Sequence, residues 1–179
     1  MNLTKMLLIN ILSILVVIFA RSIFFAGHYA NDDNASYEKI ILYVNDNYEL
    51  LKKFPYSEIK KIKSLNESIE IKKQREEETI KRHLGENTIV KSVYAYNENI
   101  LQFYCGDSGF LDVGTYTGFY FSKEDTPCAF EFSNLALVEI SPGVFEGQDE
   151  NGAQQIHGGH KIHTEKIRDN WYYYIQYWY

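Results

Sequence analysis

Beyond residue 26 this chain has no long apolar run, no surplus of positive charge, no internal repeat and only two cysteines. Without a second apolar run, the chain has at most one segment long enough to cross a bilayer as a helix. The 18 basic residues are outnumbered by 24 acidic ones, for a formal charge of −6. Lys5 and Arg21 are the only basic residues before Gly27, so the remainder is more acidic still. That balance argues against nucleic acid and anionic lipid headgroups as partners. Cys105 and Cys128 allow one disulfide if the domain lies outside the cell, where oxidation is permitted. Their spacing along the chain says nothing about the distance between them.

The first residues decide which solvent the rest must live in. Met6 to Ala26 is apolar apart from Asn10, Ser13, Arg21 and Ser22. As a helix it spans roughly 31 Å, close to the hydrocarbon thickness of a bilayer. A buried core helix would carry a polar stripe, and Leu7 to Leu12 and Ile14 to Val17 are apolar all round apart from Asn10. A cleaved signal peptide needs small residues before the cut, and Ile18, Phe24 and His28 occupy those positions ahead of Ala20, Ala26 and Ala30. No cysteine lies near the segment for lipid attachment. The reading is a retained anchor over 6–26, with an N-terminal flank at 1–5, a juxtamembrane spacer at 27–36 and one soluble domain over 37–179. Arg21 can snorkel from a helix end, or the span can shift to Leu3–Ala20. Lys5 and the α-amino group on one side, against Arg21 and then Asp32 and Asp33 on the other, favour the domain outside by a margin of about one charge.

Tyr37, Ile40, Ile41, Val44, Tyr48 and Leu51 recur at helical spacing, behind Asn34 or Ser36 as N-cap, and Pro55 ends the helix. Ile59, Ile62 and Leu65 predict a second helix. Ser68 to Lys72 alternates like a short strand, and Gln74 to Leu84 is helical again, closed by Gly85. From Thr88 the period changes to two. Strands are expected at Ile89–Tyr96, Asn99–Cys105 and Tyr116–Ser122, with one or two more within Ala129–Ile140. Further strands fall at Gly143–Phe145 and Asn170–Tyr179, and Gln155–Ile167 reads as irregular or edge strand. Helices followed by a run of strands predict an α+β fold, helices packed on one face of a mainly antiparallel sheet.

Three motifs invite chemistry. Gly106-Asp107-Ser108-Gly109 spells the tetrapeptide around the nucleophile of chymotrypsin-like serine proteases. Phe110-Leu111 follow instead of Gly-Pro, and only His28 and His83 precede Ser108, so no oriented base is in prospect. The plain reading is a glycine-rich loop leaving a strand. His157, His160 and His163 form the metal candidate, three imidazoles that with a water would make a hydrolytic site. On a strand His160 points away from the other two. The C-terminal WYYYIQYWY places Trp171, Tyr173, Ile175, Tyr177 and Tyr179 on one strand face and Tyr172, Tyr174, Gln176 and Trp178 on the other. Trp171, Tyr173, Tyr177 and Trp178 are the binding candidates, because aromatic platforms stack on sugar rings. Cross-strand packing of a central strand explains the same residues without a ligand.

Tyr37–Phe54, Phe103–Phe121 and Thr164–Tyr174, in this order, resemble a family of small membrane-anchored or lipoprotein-like proteins of Firmicutes. There a Cys-Gly-Gly-Ser-Gly loop precedes Tyr-Gly-Phe-Tyr-Tyr, and an Asp-Asn-Trp-Tyr-Tyr-Tyr strand lies near the end. Cys105–Gly109 and Asp169–Tyr174 carry the likeness, with Asp107 where the pattern has glycine. The resemblance implies an extracytoplasmic domain and no established activity. The expectation is a single-pass membrane protein, held by its N-terminal helix, whose domain binds a protein or cell-surface glycan without catalysis or cofactor. A cytoplasm-facing immunity or regulatory protein, and a metal-assisted hydrolase, are the alternatives.

Overall fold

The computed structural model describes residues 35–110, 113–130, 135–148 and 160–178. The segment 6–26 read as an anchor lies outside these. Among the described residues no helix is long and apolar enough to cross a membrane. Among the described residues four helices, α1 (Tyr37–Asp46), α2 (Tyr48–Lys52), α3 (Tyr56–Ser64) and α4 (Ile69–Leu84), precede seven strands. The strands are β1 (Ser92–Ala95), β2 (Ile100–Phe110), β3 (Val113–Ser122), β4 (Val138–Ser141), β5 (Val144–Gln148), β6 (His160–Arg168) and β7 (Trp171–Trp178). They form one antiparallel sheet in the order β1-β2-β3-β7-β6-β5-β4. The α+β expectation holds, and the last strand takes the centre.

The helices form where their apolar spacing and caps agree. Ser36 is the N-cap of α1, its hydroxyl accepting from Lys39 N–H at 3.3 Å. The helix expected from Tyr37 to Leu51 is interrupted at Asn47, whose side chain donates to the Tyr43 carbonyl at 2.9 Å. Ser68 caps α4, so the expected strand at Ser68–Lys72 is instead the start of a helix. Its alternating isoleucines mislead because neither is buried: Ile69 is 80% exposed and Ile71 45%. Gly85, with φ of +90°, ends α4 by donating its N–H to the Lys81 carbonyl at 2.8 Å.

All four helices cover one face of the sheet. Ile40, Val44, Leu51, Ile59 and Ile80 pack there against Val93, Phe103, Phe119 and Trp171. Phe103 and Phe119 stack across β2 and β3 with centroids 4.8 Å apart, and Trp171 tilts against both. The other face carries a smaller core, in which the stretch around Ala129 and Phe130 lies over Tyr120, Tyr172 and Tyr174. Tyr120 and Tyr172 stack there at 5.1 Å. Each such pair adds about 0.5–1.5 kcal/mol to simple burial. A polar chain fixes the covering stretch: Cys128 N–H donates to the Tyr120 hydroxyl (3.0 Å), which bonds Thr164 Oγ1 (2.9 Å), which donates to the Tyr173 carbonyl (2.7 Å). Within Ala129–Ile140, therefore, only Val138 onward among the described residues is a strand; the part that lies on aromatic rings stays irregular.

Two turns are tied together at one end of the sheet. Asp125 accepts from Lys166 Nζ (2.6 Å), Asn170 N–H (2.8 Å) and the Tyr172 hydroxyl (3.0 Å). The Lys166 ammonium foremost holds the Asp125 carboxyl below the usual aspartate range. Asp125 and Asn170 both have positive φ, 53° and 68°, which these two residue types tolerate better than most.

The free edge at β1 is closed by side chains. Glu76 on α4 accepts from Val93 N–H (2.8 Å) and the Ser92 hydroxyl (2.6 Å), while Lys63 on α3 donates to the Val93 carbonyl (2.5 Å). The two charges pair at 3.4 Å. Both outward backbone groups of Val93 are thereby satisfied, which blunts the edge against another strand. Glu76→Ala is expected to cost about 2–4 kcal/mol in chemical denaturation, because it leaves buried donors unpaired. Glu77→Ala, which removes only an exposed pair with Lys81, is the control and should leave stability unchanged. Equal losses for the two variants would mean that the edge needs no cap.

Candidate functional site

The described residues cover the face of the sheet away from the helices only in part, and among them an open cleft of about 570 Å³ remains beside Phe130. That volume falls within the range of about 300–1,000 Å³ typical of small-molecule sites. Its walls come from Tyr94 and Tyr96 on the β1 side and from Tyr104, Tyr116 and Trp178 on the other strands. Tyr174, Gln102 and Gln176 lie between them. Alternation and register bring these residues to one face. Tyr94 pairs with Gln102, Tyr104 with Gly118, Gly118 with Tyr174, Tyr116 with Gln176 and Gly114 with Trp178.

Two local features of the sequence shape the face around the cleft. Gly114 and Gly118 leave β3 without side chains at two positions of this face. At Gly118 a methyl group would lie 2.8 Å from the Tyr174 hydroxyl and would also strike the Phe103 carbonyl. Tyr174 uses that space and is wholly buried. Its hydroxyl has no well-formed hydrogen bond, with Gln102 as the polar neighbour acting on it, and burial raises its pKa well above the ordinary tyrosine value.

The second feature is a β-bulge between Tyr104 and Gly106. The extra residue puts Asp107 on the same face as Tyr104, which strict alternation would forbid. The Tyr104 hydroxyl donates to the Asp107 carboxylate. Burial first, then this bond, raises the Tyr104 pKa far above its usual value, so the phenol stays protonated. With Tyr104 held, the rings of Tyr104, Tyr116 and Trp178 follow one another at 6.3 and 5.8 Å, and His160 meets Trp178 edge-on at 4.5 Å. Tyr94, Tyr96 and Tyr116 remain 46%, 37% and 41% exposed.

The four aromatic binding candidates therefore have different fates. Trp178 lines the cleft. Trp171 and Tyr173 are 2% and 5% exposed beneath the helices and are core residues, so they offer no surface to a ligand. Tyr177 borders a shallower hollow on the helix side, with Tyr37, Glu146, Lys161, His163 and Glu165. In that hollow Tyr37 donates to Glu165 at 2.5 Å, and burial together with that bond pushes its pKa up to about 12. Sequence reasoning missed Tyr94, Tyr96, Tyr104, Gln102 and Gln176 as parts of a site. The alternation in each strand carried the signal, but the register needed to align them came only from the fold.

The other motifs separate. Gly106–Gly109 is no loop but the far half of β2, paired residue by residue with β3. Ser108 shares a hydrogen bond with Thr115 at 2.8 Å, with no base arranged beside it among the described residues. His163 faces the helix side, where Nδ1 lies 3.2 Å from Glu146, and Glu146 also pairs with Lys161. His160 faces the cleft side, and His157 lies outside the described residues. Among the described residues no three His, Cys, Asp or Glu side chains converge to hold a metal. The two thiols are free. Cys105 is buried among the helix-side core and Cys128 packs in the core of the opposite face, so the sheet separates them and the disulfide that the sequence allows does not form. Burial raises both thiol pKa values, which keeps them protonated and poorly reactive.

Compared with protein-family models, with curated proteins and with solved structures, the chain has no significant match to any.

Gly118→Ala should destabilise the domain by several kcal/mol, since a methyl there meets backbone as well as the Tyr174 ring. Tyr174→Phe, which removes a hydroxyl lacking a good partner, should be close to neutral in the same thermal melts. A well-folded Gly118→Ala protein would show that the close approach of Tyr174 to β3 is dispensable.

Proposed function

We propose that this chain is a membrane-tethered, non-catalytic binding protein, and that the aromatic cleft on the open face of its sheet is the receptor. The observation that carries the reading is a lined hollow of about 570 Å³ whose exposed tyrosines are held in place by their neighbours. Large aromatic side chains left exposed together, on a face where the remaining aromatics are buried, are the usual mark of an interaction surface. The described residues bring together no group of three His, Cys, Asp or Glu side chains to hold a metal. The apolar run at Met6–Ala26 supplies the tether, with Arg21 near its end. Membership of the Firmicutes family of anchored proteins, on Cys105–Gly109 and Asp169–Tyr174, belongs to the same proposal, as does an extracytoplasmic position.

Two measurements test its two halves. Gln148 is exposed at the end of β5, so a Gln148→Cys protein with Cys105→Ala and Cys128→Ala should react with an impermeant thiol reagent in intact cells. Protection until lysis would place the domain inside and move the regulatory reading ahead. For the cleft, the chain has two tryptophans, one in the core and one in the cleft. With 5-fluorotryptophan incorporated, small neutral and charged fragments should move the ¹⁹F line of Trp178 and leave that of Trp171 in place. Trp178→Phe assigns the lines. A fragment library that moves neither line would remove the cleft as a receptor.

A further inference from the structure

We infer that the ligand of the cleft is an uncharged oligosaccharide, an inference that rests on the cleft being the receptor proposed above. The first observation is the absence of charge among the described residues: none of those that line it is Asp, Glu, Lys or Arg. Two charged groups beside its walls already have partners. Lys63 reaches the Val93 carbonyl and Glu76 while its ammonium sits 3.9 Å from the Tyr94 ring centre, and Asp107 holds the Tyr104 hydroxyl. A phosphate, a nucleotide or an acidic peptide would enter without a counter-charge, in a domain that is itself acidic.

The second observation is the kind of polarity present. Tyr104, Tyr116 and Trp178 form a rail of ring faces and edges, suited to the C–H faces of pyranose rings. Gln176 pairs across from Tyr116 and is only 7% exposed, and Gln102 lies on the same face. A carboxamide both donates and accepts, as a sugar hydroxyl does. A proline-rich segment, the other guest that aromatic grooves take, brings acceptors but no backbone N–H. It would seal the amide oxygen of Gln176 away from water with no donor, at the cost of an unmade hydrogen bond. An ordinary extended peptide would look for a strand edge. The cleft is floored by β2, β3 and β7, all interior strands, and the β1 edge beside it is capped by Glu76 and Lys63.

The test uses the full-length, 5-fluorotryptophan-labelled protein in lipid nanodiscs. The probes are linear hexasaccharides of β-1,4-glucose, β-1,4-N-acetylglucosamine and α-1,4-glucose, with decaproline and an oligogalacturonate as competitors of other chemistry. The expected result is a saturable shift of the Trp178 line with at least one neutral hexasaccharide, and none with the acidic oligomer. Gln176→Leu, which keeps the volume and removes the amide, should weaken that binding about tenfold or more, and Tyr116→Ala likewise. Should Gln176→Leu fail to fold, Tyr116→Ala, at an exposed position, reads the same loss of binding. A shift with decaproline or the oligogalacturonate alone overturns the sugar assignment and leaves the cleft a receptor. So does a shift with small fragments but with no hexasaccharide. Silence of the Trp178 line toward every compound, fragments included, overturns both this inference and the reading beneath it.

Discussion

The structure depends on one constraint above the rest: β7 must be buried on both faces at once. As the central strand it pairs with β3 on one side and β6 on the other. Trp171 and Tyr173 fill the helix-side core, and Tyr172 and Tyr174 fill the opposite one. Tyrosine suits the second role because its ring supplies apolar area while its hydroxyl can be delivered to a partner. Tyr172 reaches the Asp125 carbonyl at 2.7 Å, which ties the core to the turn network at the end of the sheet. The helices, the Phe130 stretch and the paired turns all answer to the need to cover this strand.

The cleft follows from where that covering stops. Phe130 meets Tyr120 and Tyr174 edge-on and shields the middle of the open face, and Tyr96 leans against its outer side. Past this point β3 offers glycine at 114 and 118, so the sheet is thin where neighbouring strands carry large rings. A bulge that turns Asp107 toward Tyr104 then stiffens one wall. One extra backbone residue thus shapes a wall that a dedicated loop supplies in many binding proteins. The walls stand on strands, which hold a rail of rings more rigidly than a loop would.

Much of the architecture was legible in the chain. The stripe from Tyr37 to Leu51, the Gly85 stop and the change of period after Thr88 predict helices followed by strands, and the two-sided alternation of residues 171–178 predicts a strand packed on both faces. Other features were not legible, for physical reasons. Ser68–Lys72 alternates without burial, and a helix cap at Ser68 outweighs that pattern. Gly106–Gly109 reads as a loop because glycine is a turn residue, yet pairing with β3 extends it into a strand. Alternation puts Trp171 and Trp178 on opposite faces but does not say which face the helices cover and which one holds the cleft. Cys105 and Cys128 look pairable until alternation and the Phe130 stretch place them on opposite sides of the sheet. In each case the deciding fact is a contact between distant segments, which local spacing does not encode.

The place of β7 in the sheet also bears on how the domain comes to be folded. Its turn with β6 is tight and local, but its pairing with β3 joins Phe121 to Trp171 across the whole of β4, β5 and β6. Such distant closure is slow, because chain entropy is spent before the contacts that reward it exist. Until residues 171–178 are synthesised, the β1–β3 and β4–β6 groups have no strand between them, Phe103 and Phe119 lack the Trp171 ring and Tyr120 lacks its stack with Tyr172. The domain thus stays open until its final strand is made, and a chain that stops short of that strand is left as two unjoined half-sheets with exposed aromatic faces.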